Sequence, residues 1–276
     1  MLSVNLTTTS SRLDLCSATV WSIVNQSTLP DYINIWISKD PYLSDKGIHL
    51  IPVWVDEINK LKNIVRIIYT ENIGPYRKVI PALRLADIND LVVYADDDVV
   101  YGKYWLESLV DLYYKYDGKK IIASRLRLKE KNYFGKYKGY MSYKLCKEEI
   151  TFKSDFIITG VGGCLLNKSH INNDLLMNND FLIIAPKTDD IWISKLIEIS
   201  GTSVVSCPNA LNEVNEVLHY INSLNMENIN HISTGGFLYK IYHKIVNKIG
   251  TNFGFCVTNN DRAIFKVNEY FTKKYL

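Results

Sequence analysis

The chain lacks paired cysteines. Cys16, Cys146, Cys164, Cys207 and Cys256 are scattered, odd in number and form no C-x-x-C motif. That pattern argues against a disulfide framework and against structural zinc, and it fits a reducing compartment. No apolar run reaches the length needed to span a bilayer. The first twenty residues contain Arg12 and Asp14 and have no continuous apolar core, so no secretory signal is expected and the anticipated location is cytoplasmic. Charge of one sign is also scarce. The net charge of +3 over 276 residues is too small to argue for a nucleic-acid partner. Neither an internal repeat nor a low-complexity linker divides the chain. The expected organisation is a catalytic unit over residues 1–205 and a C-terminal extension over 206–276, acceptor- or membrane-facing.

What is present is ordinary in bulk, with 47% apolar and 22% charged residues, enough for a sizeable core. Tyrosine stands out at 19 residues against 9 Phe and 5 Trp, a usage common where sugars or nucleotides are held, and also on plain surfaces and membrane interfaces. Apolar periodicity predicts a strand at Leu2–Leu6, a helix over Leu13–Gln26 and a strand at Tyr32–Ser38. A weak helix over Val53–Leu61 and a strand at Ile64–Tyr69 follow. Gly74-Pro75 opens a helix predicted to run to about Ala86, leading into a strand at Leu91–Tyr94. Helix over Tyr104–Tyr116 and strand at Lys119–Ser124 come next, then a Lys- and Tyr-rich loop or antiparallel ribbon at Arg125–Lys147. A glycine-broken apolar run (Phe156–Leu166) and a helix over Thr188–Ser200 complete the pattern. Alternating strands and helices imply an α/β fold, a mostly parallel central sheet with helices on both faces. Ligands of such sheets sit at the carboxyl ends of the strands, where Thr8–Arg12, Asp40 and Asp96–Asp98 fall.

Three patterns carry chemistry. Asp96-Asp97-Asp98 directly follows the apolar Leu91–Tyr94. Adjacent carboxylates repel and are costly to desolvate unless a cation compensates, and hard oxygen ligands suit Mg²⁺ or Mn²⁺ beside a phosphorylated substrate. The alternative is a surface turn in which Asp97 or Asp98 caps a following helix. Thr188-Asp189-Asp190 opens a helix. Capping and the helix dipole suffice to place acids there, yet a carboxylate aimed into a cleft is also a general base. Between them, Thr159-Gly160-Val161-Gly162-Gly163 lets backbone approach a ligand closely, although a β-bulge explains such a cluster equally well.

Taken in order, these motifs resemble a GT-A-type glycosyltransferase, bacterial family-2-like, over roughly residues 3 to 200. The elements that match are the polar Thr/Ser-Arg loop after the first strand and Gly74-Pro75-Tyr76-Arg77-Lys78. Asp96-x-Asp98, the glycine-rich strand end and Asp189-Asp190 follow in the same order. The resemblance implies that a nucleotide-diphospho-sugar, a UDP-sugar first among the options, binds with Mn²⁺ or Mg²⁺. Asp98 and Asp96 would ligate the metal, Asp96 also reaching the ribose, with Asp97 beside them. Thr8, Ser10 and Arg12 would lie near the nucleotide, and Asp40 near its base. Arg77 or Lys78 would approach the diphosphate, and Gly162 and Gly163 would border the donor sugar. Asp190, with Asp189 as second choice, would be the base of an inverting transfer to a glycan or lipid-linked acceptor, as in capsule or lipopolysaccharide synthesis.

A third metal ligand could come from His219 or His231. Phe237–Ile249 spaces apolar residues helically among Lys240, His243, Lys244 and Lys248. It is either a peripheral membrane contact or a helix packed on the catalytic unit. Two other functions are compatible with a subset of these features. A sugar nucleotidyltransferase would carry a glycine-rich phosphate loop after the first strand, which Thr7–Arg12 lacks. A noncatalytic glycan- or nucleotide-binding module would not need Asp96, Asp98 and Asp190.

Overall fold

A computed structural model describes residues 1–217 and 250–275. His219, His231 and Phe237–Ile249 lie outside the described residues. The chain opens with β1 (Leu2–Thr7), α1 (Leu13–Val24), β2 (Tyr32–Ile37), α2 (Val53–Leu61) and β3 (Val65–Tyr69). A 3₁₀ turn (Gly74–Lys78), α3 (Ile80–Leu85) and β4 (Leu91–Tyr94) follow. Then come β5 (Val99–Tyr101), α4 (Trp105–Lys115), β6 (Ile121–Ala123), β7 (Leu126–Leu128), β8 (Lys144–Leu145), β9 (Thr151–Phe152), β10 (Phe156–Ile158) and β11 (Cys164–Leu166). Short α5 (Asn173–Met177) and α6 (Phe181–Ile184) precede α7 (Asp189–Ile199), β12 (Val204–Ser206), α8 (Pro208–Asn212) and β13 (Val214–Glu216). The last helix, α9, spans Asn259–Tyr275.

Eight strands form the central sheet in the order β3-β2-β1-β4-β11-β6-β12-β9. β3, β2, β1 and β4 are parallel, as are β6 and β12. β11 runs against both neighbours, and β9 is an antiparallel edge. Period-two alternation sorts the side chains of β4 into two cores. Val92 and Tyr94 join one that contains α3, α7 and α9, while Leu91 and Val93 join another that contains α1, α2 and α4. Helices thus cover both faces, the α/β arrangement that the alternating pattern implied.

Two local details depart from the sequence pattern. The helix expected from Gly74 to Ala86 is broken, because Pro81 sits in the first turn of α3 and Val79 leaves helical geometry at φ −126. Proline has no N–H to donate to a carbonyl of the preceding turn, so it is accommodated at the start of a new helix rather than inside a continuous one. The acid triplet leads into a strand, β5, rather than a helix, so neither Asp97 nor Asp98 caps one.

The glycine-rich run explains the reversed strand. β10 belongs to a small antiparallel sheet with β7 and β8. The chain then turns through a 3₁₀ segment, Gly160–Gly162, and Gly163 at φ +82 before entering the main sheet as β11. Cys164 pairs with Tyr94, which brings the glycine run beside the carboxyl end of β4.

The segment after β12 packs onto the same body. β13 pairs with β5, and the Val217 N–H donates to the Asp98 carbonyl at 3.0 Å. α9 lies on α7 through Trp192 and Phe271, whose ring centroids are 5.0 Å apart. Among the described residues no helix is long and apolar enough to cross a membrane.

Candidate active site

β1, β2 and β4 are parallel, so their carboxyl ends open on one edge of the sheet. A cavity of about 430 Å³ lies there. Thr8, Arg12 and the three acids Asp96, Asp97 and Asp98 line it, together with Arg77, Lys78, Asp189 and Asp190. Segments more than ninety residues apart therefore meet in one cleft, because β11 and α7 return to the end of β4.

The acids are sorted by their cations. Arg12 pairs with Asp97 and, at 2.8 Å, with Asp98. Burial works against the Arg12 charge, but Asp97 and Asp98 outweigh it and hold its pKa above the ordinary value. Asp97 itself is 4% exposed, and burial, opposed by Arg12, pushes its carboxyl up to about 6. Lys78 bridges the two acid motifs, with Nζ 2.6 Å from Asp96 and 2.8 Å from Asp189. Burial opposes the ammonium charge, yet Asp189 and Asp96 overcome it and hold Lys78 well above its usual pKa.

Asp190 is placed by backbone. The Gly160 N–H donates to its Oδ1 at 3.0 Å, and the Ser194 hydroxyl donates to its carbonyl at 2.6 Å. Ser194 in turn accepts the Ile158 N–H at 2.8 Å, which ties α7 to β10. Burial and then Asp189 push the Asp190 carboxyl up to about 8, with Lys78 opposing. A carboxyl held near neutrality is suited to take up a proton and release it again.

Several expected residues sit elsewhere. Asp40 is exposed and outside the cleft lining. The acid that occupies the nearby wall is Asp45, which is 4% exposed and pairs with Arg77 at 3.0 Å. Ser10 does not line the cleft; its N–H donates to Asp45 at 3.1 Å, fastening the loop after β1. Arg77 is buried, donates also to the Thr8 carbonyl at 3.1 Å, and has its pKa lowered by burial against the pull of Asp45. It acts first as a clamp between loops.

Gly162 and Gly163 face inward rather than into the cleft. A Cβ on Gly163 would drive into the Trp105 ring, and one on Gly162 into Ser124 and Arg125. The Gly162 carbonyl accepts from Trp105 Nε1 at 2.8 Å and from the Ser124 hydroxyl. The glycine that meets the site is Gly160, where a Cβ would collide with Asp96 and Lys78. Sequence shows three glycines in five residues. It does not show which one turns toward the ligand.

The ribbon after β6 also contributes. Arg125, Arg127 and Tyr140 line the cleft, as does Asn260 at the start of α9. Tyr140 is 8% exposed, and its N–H donates to Asp261 at 2.7 Å, so α9 holds the ribbon in place. Burial and then Asp190 push the Tyr140 phenol up to about 12, with Arg127 and Arg125 opposing.

The donor set fits a hard divalent cation. Asp96 and Asp98 are half-buried carboxylates that line the cavity beside Asp97. Among the described residues no three His, Cys, Asp or Glu converge as a ready-made metal shell. That suits an ion held by one or two carboxylates and completed by substrate phosphate and water. Buried polar atoms without a partner also gather here, including Arg77 Nη1, Asp97 Oδ2, Thr159 Oγ1 and Thr188 Oγ1. Such atoms are rare in folded interiors and mark a place where ligand or solvent completes the bonding.

No family model matches the sequence, and no curated protein does. Solved structures do match the fold. GalNAc-T7, in a crystal structure with UDP, GalNAc and Mn²⁺, superimposes with a TM-score of 0.53 at 14% identity. The match covers 99% of this chain and 54% of that one. TarS of S. aureus gives a TM-score of 0.50 at 14% identity, over 98% of this chain and 43% of that one. The chain thus spans about half the length of the solved structures it resembles. At this identity the likeness establishes the GT-A fold.

Proposed function

We propose that the protein is a metal-dependent glycosyltransferase. It moves a hexose from a nucleotide-diphospho-sugar to a hydroxyl of a glycan or lipid-linked acceptor, with inversion. The observation that carries this reading is the meeting of Asp96–Asp98 and Asp189-Asp190 in one cleft, joined by Lys78. A donor-holding motif and a base separated by a single cation serve two ends of one reaction.

In this reading Asp98 and Asp96 would hold Mn²⁺ or Mg²⁺. The ion would supply Lewis-acid stabilisation of charge gathering on the leaving diphosphate. Arg12 fixes Asp97 and Asp98, so the acids are pre-set rather than splayed by repulsion. Asp190 accepts the proton of the acceptor hydroxyl as that oxygen forms its bond to the anomeric carbon. The bond from that carbon to the diphosphate oxygen breaks with its electron pair, and the nucleoside diphosphate leaves. The Gly160 N–H steadies the Asp190 carboxylate, and Lys78 ties Asp189, the neighbour of the base, to Asp96. A UDP-sugar is the first donor to test, since a structure of this fold holds UDP with Mn²⁺. Synthesis of a surface polysaccharide is the process such a transfer would serve.

Incubation with a panel of nucleotide sugars and Mn²⁺ tests the class of reaction. Release of nucleoside diphosphate that stops on adding chelator supports it. Release of pyrophosphate from a sugar phosphate and a nucleoside triphosphate would replace it with nucleotidyl transfer.

A further inference from the structure

We propose that the acceptor half of the cleft holds an anionic group, a phosphate or carboxylate carried by the acceptor, with Arg127 as its counter-ion and Arg125 beside it. This deepens the glycosyltransferase reading and rests on it.

Strand geometry brings the two arginines to the base. In β7, Leu126 is fully buried, so Arg125 and Arg127 flank it on the opposite face. Arg127 pairs across the ladder with Ile157, and the Thr159 N–H donates to the Arg125 carbonyl at 3.1 Å. The next residue, Gly160, holds Asp190. Both cations therefore stand on the strand adjoining the one that leads into the residue holding the base.

Arg127 differs from four other cations that line the cleft. Arg12, Arg77 and Lys78 are each paired with aspartates, and Arg125 pairs with Glu216 at 2.8 Å. Among the described residues Arg127 makes no salt bridge. It donates to the Tyr143 carbonyl at 3.3 Å and lies 5.3 Å from the Tyr140 ring centroid. A half-buried guanidinium held by one carbonyl and a ring face is poorly compensated. Its planar fork matches phosphate or carboxylate in a bidentate manner. Arg125 and Arg127 thus bring positive charge to the cleft that Asp190 lines, and an anionic acceptor would gain more from it than a neutral one.

The test uses the full chain and two probes. sn-Glycerol 3-phosphate, with glycerol as its neutral match, is titrated calorimetrically without metal and again with UDP and Mn²⁺ present. Vesicles of phosphatidylglycerol, with phosphatidylcholine as control, are tested by co-sedimentation. The expected result is binding of glycerol 3-phosphate but not glycerol, weakened at least tenfold in Arg127→Gln and partly restored in Arg127→Lys. Arg127-dependent retention on phosphatidylglycerol would equally support the site and identify the anion as a lipid headgroup. Thermal melting of both variants checks that they fold, and the charge-retaining Lys variant decides the matter if the Gln variant does not. Binding of neither probe, or binding that Arg127→Gln leaves unchanged, overturns the proposal. The donor reading is judged separately by whether UDP with Mn²⁺ binds in an Asp98-dependent way.

Discussion

Asp190 is the base of the proposed transfer, and its surroundings make a pH-dependent statement. Burial and Asp189 push its carboxyl from 3.8 to about 8. Across that interval the folded state keeps a proton that the unfolded state has released, so this group's contribution is complete below about pH 4 and falls as pH rises toward 8. Asp190→Asn removes the penalty. The melting temperature of Asp190→Asn should therefore exceed that of wild type by a margin that widens from pH 5 to pH 8. Transfer by the wild type should rise over the same range as the base ionises, and the Asn variant should lose about 10²- to 10⁴-fold. A margin that stayed flat with pH would show that Asp190 ionises as an ordinary carboxyl. The two acid motifs were legible in sequence because acids packed behind a buried strand or at a helix start demand compensation. Asp45 was not, since it sits in an irregular loop with no periodicity to mark it, and Asp40 is as plausible on pattern alone. Arg127 was hidden in a Lys- and Tyr-rich stretch, where only strand pairing shows which cation faces the cleft.

At the scale of elements, the glycine-rich turn decides where β11 and α7 return. Its glycines divide the work. Gly160 meets Asp96 and Lys78, whereas Gly163 takes φ +82 against Trp105. An alanine at 163 meets both a strained backbone and the indole. Gly163→Ala should destabilise the fold by about 2–4 kcal/mol, measured by urea unfolding. Loss below about 0.5 kcal/mol, with activity kept, would mean that the turn repacks freely and does not set the site. The alternation of strands and helices announced a parallel sheet, and β1 through β4 form one. The antiparallel insertion of β11 was not announced, because a three-residue strand carries no direction in its sequence. Likewise the broken helix at Val79 follows from Pro81, a breaker that was outweighed by the apolar spacing around it.

For the whole molecule, one cleft receives the ends of β1 and β4, the start of α7, the ribbon and the first turn of α9. The position of α9 on α7, with Asp261 holding the Tyr140 backbone, makes the C-terminal helix part of the cleft's support. The basic amphipathic pattern at Phe237–Ile249 lies outside the described residues and did not mark α9. The division of labour between the acid motifs is best tested by comparing Asp98→Ala with Asp190→Asn in two readouts, Mn²⁺-dependent nucleotide affinity and single-turnover transfer. Asp98→Ala should lose the metal-dependent part of the affinity, and transfer with it. Asp190→Asn should keep that affinity within about twofold while transfer falls by about 10² or more. Full transfer by Asp190→Asn, or undiminished Mn²⁺-dependent binding by Asp98→Ala, would contradict the assignment of donor and base to these two ends of the cleft.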